Sequence, residues 1–225
     1  MKKFFNDSCV SLEPFRADQL YHGIYKQKIT SMSRLNVLPK WQQNFLDREF
    51  SFHVGNIVSK KKLSPSCVSM GLKIEGKSVE TAVINQMSCS RLFLATQKTD
   101  SVFPSLYLSP SFIGKYQNAD PSFMVCQYLL MSNYFAKQDA KGHNRESVPK
   151  NLPPAKIYFT GGEPLENYGN LKEAIDILTD PKGIGLKRSD LTVITNGMAN
   201  LIPSVSRDLK INLSINLHSV RNDLR

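Results

Sequence analysis

The sequence has 225 residues, 41% of them hydrophobic, and carries 29 Lys/Arg against 19 Asp/Glu for a net charge of +10. This composition supports a packed core and excludes wholesale disorder, and no stretch approaches the roughly 20 consecutive apolar residues that cross a bilayer. The start, Met1 to Asp7, turns polar too early for a signal-peptide apolar region, so the expected location is the cytoplasm, or an organelle matrix in a eukaryote.

In chain order, the first region to show a period is Glu13–Lys26, where Leu20, Tyr21, Ile24 and Tyr25 fall on one helical face. Leu38-Pro39-Lys40-Trp41 punctuates it, and Phe45, Leu46 and Glu49 suit a second helix. Residues 55–95 turn to strand character, with Val68–Ile74 and Val79–Ile84 as short runs around a turn at Gly76, then the more apolar Arg91–Thr96. Residues 97–119 hold scattered Ser, Pro, Asn and Gly and read as a long loop. Asp120-Pro121 opens a helix, an acceptor cap followed by a first-turn proline, and Phe123, Gln127, Leu130 and Tyr134 mark it to about residue 136. Lys137 to Pro154 reads as an exposed connection.

The remainder is the most regular part. Lys156–Thr160 is a short apolar strand, followed by Gly161-Gly162-Glu163-Pro164 and a helix with Leu171, Ala174, Ile175 and Leu178 on one face, stopped at Asp180-Pro181-Lys182-Gly183. Leu191–Thr195 is the next strand, a short helix surrounds Pro203–Asp208, and the last strand spans Ile211–Leu217. Strands alternating with helices at this spacing predict a parallel sheet with crossover helices. Such sheets carry functional groups at the carboxyl ends of their strands, where Thr160-Gly161-Gly162-Glu163-Pro164, Thr195-Asn196-Gly197 and Asn216-Leu217-His218 fall.

The charge is uneven: residues 1–80 hold 13 Lys/Arg against 7 Asp/Glu, the other 145 hold 16 against 12. Such an excess suits a polyanion, RNA above all, and equally suits a plain basic surface. Arg16, Lys26, Lys28, Arg34, Lys40 and the run Lys60-Lys61-Lys62 are the candidate RNA-binding cations, interleaved with Tyr21, Tyr25 and Trp41; for those aromatics core packing and base stacking are both open. The four cysteines, Cys9, Cys67, Cys89 and Cys126, match no zinc, haem or iron-sulfur spacing and read as reduced, buried, small apolar residues. His22, His53, His143 and His218 are too scattered for a metal site or a triad.

Gly161-Gly162-Glu163-Pro164-Leu165 after an apolar strand has two readings. The glycines let a ligand approach the main chain while the carboxylate accepts from an ammonium group, or the segment is a tight turn opening a helix. The segment resembles the glycine-glycine-glutamate-proline motif of radical S-adenosylmethionine (SAM) enzymes. Its context is similar to the RlmN/Cfr family of RNA methyltransferases acting on adenine C2 or C8. Glu13–Leu20, Leu38-Pro39-Lys40 and Val79–Ile84 resemble the amino-terminal region of that family; Phe159–Leu165 with Asn167, Gly183–Arg188, Leu213–His218, Asn222-Asp223 and Arg225 resemble its core.

The resemblance implies an α/β chain: a small helical accessory domain over 1–54, a small β extension over 55–89, and a partial radical-SAM (β/α) barrel of about four parallel strands over 90–225. It implies Gly161, Gly162, Glu163, Asn196, Asn216 and His218 around SAM, a 4Fe-4S cluster, and rRNA or tRNA as partner. Four departures stand against full activity. Aligned on Thr96-Gln97, the three cluster-ligand places fall on Asp100, Pro104 and Tyr107, none a thiolate, so the cluster is expected to be absent. The family has glycine-methionine-glycine-glutamate-proline where this chain is one residue shorter, and serine where Asn216 stands. Relatives also continue beyond the place of Arg225 into units that carry the methyl-accepting cysteine.

The expectation is therefore an RNA- or ribosome-binding relative that leans away from being an enzyme, with SAM a candidate ligand and no membrane partner. A protein partner is a candidate to cover the edge left by the last strand. The alternatives are a methyltransferase that works with a partner or by a non-radical SAM route, and a decaying copy.

Overall fold

The computed structural model describes residues 14–29, 31–49, 54–86, 89–98, 117–140 and 156–216. The chain divides into two compact units, one of Met1–His53 with Ile177–Leu186, the other of Val54–Asp176 with Lys187–Arg225.

In the first unit, α1 (Pro14–Tyr25) and α2 (Lys40–Glu49) flank a 3-10 turn at Met32–Arg34. Leu20, Met32, Leu35, Leu38 and Leu46 form its core, with Ile24, Ile29 and Phe45 packed against it. Gly23 permits the close approach: a Cβ there would stand 2.6 Å from Leu35 Cδ2. The carbonyls of Leu35 and Leu38 both accept from Gln43 Nε2, at 3.0 and 2.7 Å, which closes the connection between the two helices. Tyr21 packs against Tyr25 at 4.6 Å between ring centroids, and a Cβ on Gly183 would meet its ring at 2.7 Å.

The second unit is built on one seven-stranded sheet: β1 (Asn56–Ser64), β2 (Cys67–Ile74), β3 (Lys77–Gln86), β4 (Cys89–Ala95), β7 (Lys156–Thr160), β8 (Leu191–Thr195) and β9 (Asn212–Ile215), adjacent in that order. β1 to β4 form an antiparallel meander joined by short turns. From β4 onward the pairing is parallel, so β4, β7, β8 and β9 are the four parallel strands of the partial barrel. The sheet runs unbroken from β3 into β4. α3 (Pro121–Ala140) lies between β4 and β7 in sequence, and α4 (Tyr168–Thr179) between β7 and β8, the crossovers that parallel neighbours require.

Leu92 and Leu94 of β4, Ile157 and Phe159 of β7, and Leu191 and Val193 of β8 are each essentially buried, the period-two signature of one covered face. α3 packs against β2 and β4, and Phe123, Met124, Tyr128, Met131 and Phe135 are its large buried side chains. Leu130 and Tyr134, expected on the packed stripe, are only half-buried; the buried stripe is rotated toward Met124 and Met131.

The segment 97–119, expected to be loop throughout, contains a short antiparallel pair, β5 (Gln97–Lys98) with β6 (Gln117–Asn118). β1 was not expected as a separate strand. It lies at the sheet edge, and Lys60, Lys61 and Lys62 within it are exposed.

Candidate functional site: the rim at the ends of the parallel strands

The carboxyl ends of β4, β7, β8 and β9 are tied to one another by polar groups from the residues just past each strand. Thr96, fully buried after β4, donates its hydroxyl to Gly161 O at 3.0 Å and its backbone N–H to Thr160 O at 2.8 Å. Glu163 follows β7 and caps the short 3-10 turn Pro164–Asn167 by accepting from Leu165 N at 3.0 Å. The same oxygen, Oε1, accepts at 2.6 Å from Oγ1 of Thr195, the last residue of β8, and Oε2 accepts at 2.8 Å from the backbone N of Asn196, just past it. Asn216, just past β9, donates its N–H to Thr195 O at 2.8 Å.

The Glu163 carboxylate thus holds three donors. A carboxylate offers about four lone-pair sites, which leaves one on the Oε2 side for a further donor such as an ammonium group. Gly161 and Gly162 have φ of +82° and +67°, a conformation that side-chain-bearing residues rarely adopt. A Cβ on Gly161 would stand 3.2 Å from Ala95 Cβ, and one on Gly162 would collide with Oε1 and Cδ of Gln97. Backbone conformation requires both glycines, and crowding against Ala95 adds to the requirement at Gly161.

Asn167, buried beneath this turn, donates Nδ2 to Thr96 O at 2.8 Å and to Ala119 O at 2.7 Å. It fastens the turn after β7 to the chain on either side of β5 and β6. Lys98 Nζ meets Asp120 Oδ2 at 2.6 Å, a second tie between β5 and the residues that follow β6. Burial raises the Asp120 pKa, but hydrogen bonds from Lys98, Ser122 and the Phe123 N–H outweigh it and hold the carboxyl at about 2.

Of the residues assigned to a SAM site, Gly161, Gly162, Glu163, Asn196 and Asn216 come together on this rim; His218 lies outside the described residues. Sequence reasoning placed Thr195 at a functional strand end without giving it a role, and did not single out Thr96 or Gln97 as site residues. Their signal was positional: each is a polar residue at or just beyond the end of a strand.

The places of the expected cluster ligands, Asp100, Pro104 and Tyr107, lie outside the described residues. Among the described residues, the cysteines Cys67, Cys89 and Cys126 do not fit a cluster at this rim. Cys89 opens β4, roughly 25 Å of extended chain away from Gln97, and Cys67 belongs to the same end through the register Cys67↔Ile84↔Arg91. Cys126 is nearer, on α3, but burial, followed by the charges of Glu75 and Asp120, pushes its thiol up to about 11, which disfavours the thiolate that binds iron. Among the described residues no group of three His, Cys, Asp or Glu is arranged to hold a metal ion.

The candidate RNA-binding cations fall in both units. In the first, Lys26, Arg34 and Lys40 are exposed. Arg16 is engaged internally, donating Nη1 to Val37 O at 2.7 Å. Lys28 is half-buried at φ +54°, and desolvation pulls its pKa down. Tyr21 contributes to packing, while Trp41 is 63% exposed. In the second unit, Lys60 and Lys62 pair with Met70 and Val68 and Lys61 with Ser69, so the three lysines alternate between the faces of the edge strand. Lys60 reaches Tyr134 OH at 3.4 Å.

No protein-family model matches the chain. Individual proteins do. The sequence is 25% identical over 230 residues to a probable dual-specificity RNA methyltransferase RlmN of Aquifex aeolicus, covering 100% of this chain and 61% of that protein. It is 29% identical over 221 residues to a probable RlmN of Pseudothermotoga lettingae, covering 96% and 60%, and 25% identical over 216 residues to an RlmN of Acidiphilium cryptum, covering 95% and 54%.

The chain is a homologue of the RlmN RNA methyltransferases.

It spans a little over half the length of these RlmN relatives. The fold agrees: a radical SAM methyltransferase from Sphaerobacter thermophilus superposes with a TM-score of 0.78 at 19% identity, covering 100% of this chain and 62% of that one. The parallel strands of this RlmN homologue therefore carry a radical-SAM-type sheet, with the glycine-glycine-glutamate turn at the end of the second of them. No helix among the described residues is long and apolar enough to cross a membrane.

Proposed function

We propose that this RlmN homologue binds structured RNA, rRNA or tRNA, retains a SAM-type ligand at the rim, and does not itself carry out radical methylation. The observation that carries this reading is internal to the chain: no cysteine occurs between Cys89 and Cys126, so the segment that follows β4 offers no thiolate to a cluster. The placement of Cys67 and Cys89 away from the rim and the raised pKa of Cys126 support it. Retention of the ligand is supported by the intact turn, in which Gly161, Gly162 and Glu163 stand with Asn196 and Asn216. Were SAM bound there, its amino-acid end would meet the glycine main chain and the remaining lone pair of Glu163; SAM supplies an electrophilic methyl group when bound.

RNA binding is supported by the basic balance, by exposed Lys26, Arg34 and Lys40, and by Trp41 beside Lys40 as a stacking surface. A methyltransferase completed by a partner chain that supplies the missing thiolates is the second reading, favoured by the same intact turn.

Anaerobic reconstitution with iron and sulfide tests the central claim. The expected result is no thiolate-to-iron charge-transfer absorption after desalting; a brown protein that cleaves SAM on reduction overturns it. RNA affinity measured against salt concentration tests the other half. Affinity should fall linearly on logarithmic axes with a slope set by several phosphate contacts, and binding no stronger than that of an unrelated protein of equal charge removes the claim.

A further inference from the structure

Three side-chain amides at the rim, Gln127, Asn167 and Gln97, are held in contrasting ways. Gln127 binds both backbone groups of Ala95, at 2.9 and 2.8 Å, and Asn167 binds two carbonyls at 2.8 and 2.7 Å; both side chains are buried. Gln97 is only half-buried, and the tether recorded for its amide is Nε2 to Asn118 Oδ1 at 3.4 Å, at the outer limit of a hydrogen bond. Asn118 is itself exposed and reaches Glu166 O at 3.5 Å.

That loosely held carboxamide lies against the bare Cα of Gly162. A Cβ at Gly162 would collide with its Oε1 and Cδ and stand 3.0 Å from its Nε2, so the whole planar amide faces the glycine. The backbone explains the placement. Gln97 is two residues beyond the end of β4 and paired with Asn118 in β5–β6, which aims it across the turn that follows the neighbouring β7.

We propose that the Gln97 carboxamide is a built-in stand-in at the Gly161–Gly162 turn, which the amino-acid end of an S-adenosyl ligand displaces on binding, and that Gln97 thereby sets the affinity of the turn. The inference rests on the reading above that the turn retains such a ligand. The chemistry matches: a carboxamide presents a donor and an acceptor side by side, as an α-ammonium and α-carboxylate do. Glycine is what lets either lie flat on the main chain. The weak tether to Asn118 makes displacement inexpensive, and loss of the Gln97 side chain removes a competitor without removing any group that holds Glu163, Thr195 or Asn196 in place.

The test is calorimetric titration of the 225-residue chain with S-adenosylhomocysteine, comparing wild type with Gln97→Ala, Gln97→Ser and Asn118→Ala, each checked for an unchanged near-ultraviolet circular dichroism spectrum. Gln97→Ala should bind roughly three- to tenfold more tightly, the scale of one net hydrogen bond, with Gln97→Ser close behind and Asn118→Ala shifted the same way by less. If wild type binds and truncation of Gln97 leaves affinity unchanged or weakens it, the stand-in is refuted, and a weakening makes Gln97 a contact of the ligand instead. If no protein in the series binds, the reading that the turn retains the ligand falls, and this inference with it.

Discussion

Gln127 holds Ala95 by both of its backbone groups, accepting from Ala95 N at 2.9 Å and donating to Ala95 O at 2.8 Å, so that one helical side chain does the work of a neighbouring strand. The need arises from the register. β3 leaves β4 after Ala82↔Phe93, while Ala95 on β4 is still buried with its far edge unpaired. Gln127→Leu keeps the size and strands both groups, so it should cost about 2–4 kcal/mol, read as a lower urea midpoint with an unchanged slope.

Asn167 should tolerate change poorly for a related reason. It donates to two carbonyls, Thr96 O and Ala119 O, and accepts from Asn170. Asn167→Asp turns a double donor into an acceptor facing two acceptors, and is expected to destabilise by about 3 kcal/mol, more than Asn167→Ala. Thermal unfolding of the two variants side by side checks the order.

Acid stability should carry the mark of Asp120. Its folded pKa, about 2, lies below the ordinary 3.8. A depressed carboxylate contributes stability that is fully present above the unfolded value and lost as pH falls through the folded one. The side chain is 41% exposed, so solvent screening reduces the contribution to about 1 kcal/mol. Asp120→Asn should lower stability by that amount at neutral pH and flatten the loss between about pH 4 and pH 2, followed by denaturation at stepped pH.

Glu163→Gln separates the structural duty of the rim carboxylate from its proposed part in ligand binding. Whichever way the amide turns, its NH2 faces a group that already donates, Asn196 N on one side or Thr195 and Leu165 on the other. Stability should fall by about 2 kcal/mol, and titration with S-adenosylhomocysteine should show no heat. Retained binding would make the carboxylate a structural staple alone.

Trp41, exposed beside Lys40, should matter to RNA and not to the fold. Trp41→Ala is expected to leave the melting temperature unchanged and to weaken RNA binding by about 1–3 kcal/mol, measured at one fixed salt concentration.

Much of this fold was legible before the structure, and the exceptions share a cause. β7, the glycine turn and α4 announced themselves because a short apolar strand, two glycines and a strictly periodic helix stand in sequence. β1 did not, because Lys60, Lys61 and Lys62 sit on an edge strand exposed on both faces, where nothing imposes alternation. β5 and β6 are two residues each, too short for any period. Gln127 sat in the helical stripe at the expected place; what could not be read was that its amide faces a strand, because that depends on where β3 stops. The glycine turn was visible, but its lock was not. Thr195 and Thr96 act across 32 and 65 residues of chain, and no local pattern carries such a partnership.

The change from antiparallel to parallel pairing at β4 also orders the assembly of the second unit. The meander closes over two-residue separations, with Gln86 opposite Cys89 and Ile74 opposite Lys77, and little chain entropy is lost in each closure. Arg91 pairs with Lys156, 65 positions along the chain, a far slower search. The basic hairpins should thus form early and offer β4 as a template on which the parallel half condenses. Slow refolding phases should accordingly track the glycine rim and spare the lysine-rich edge.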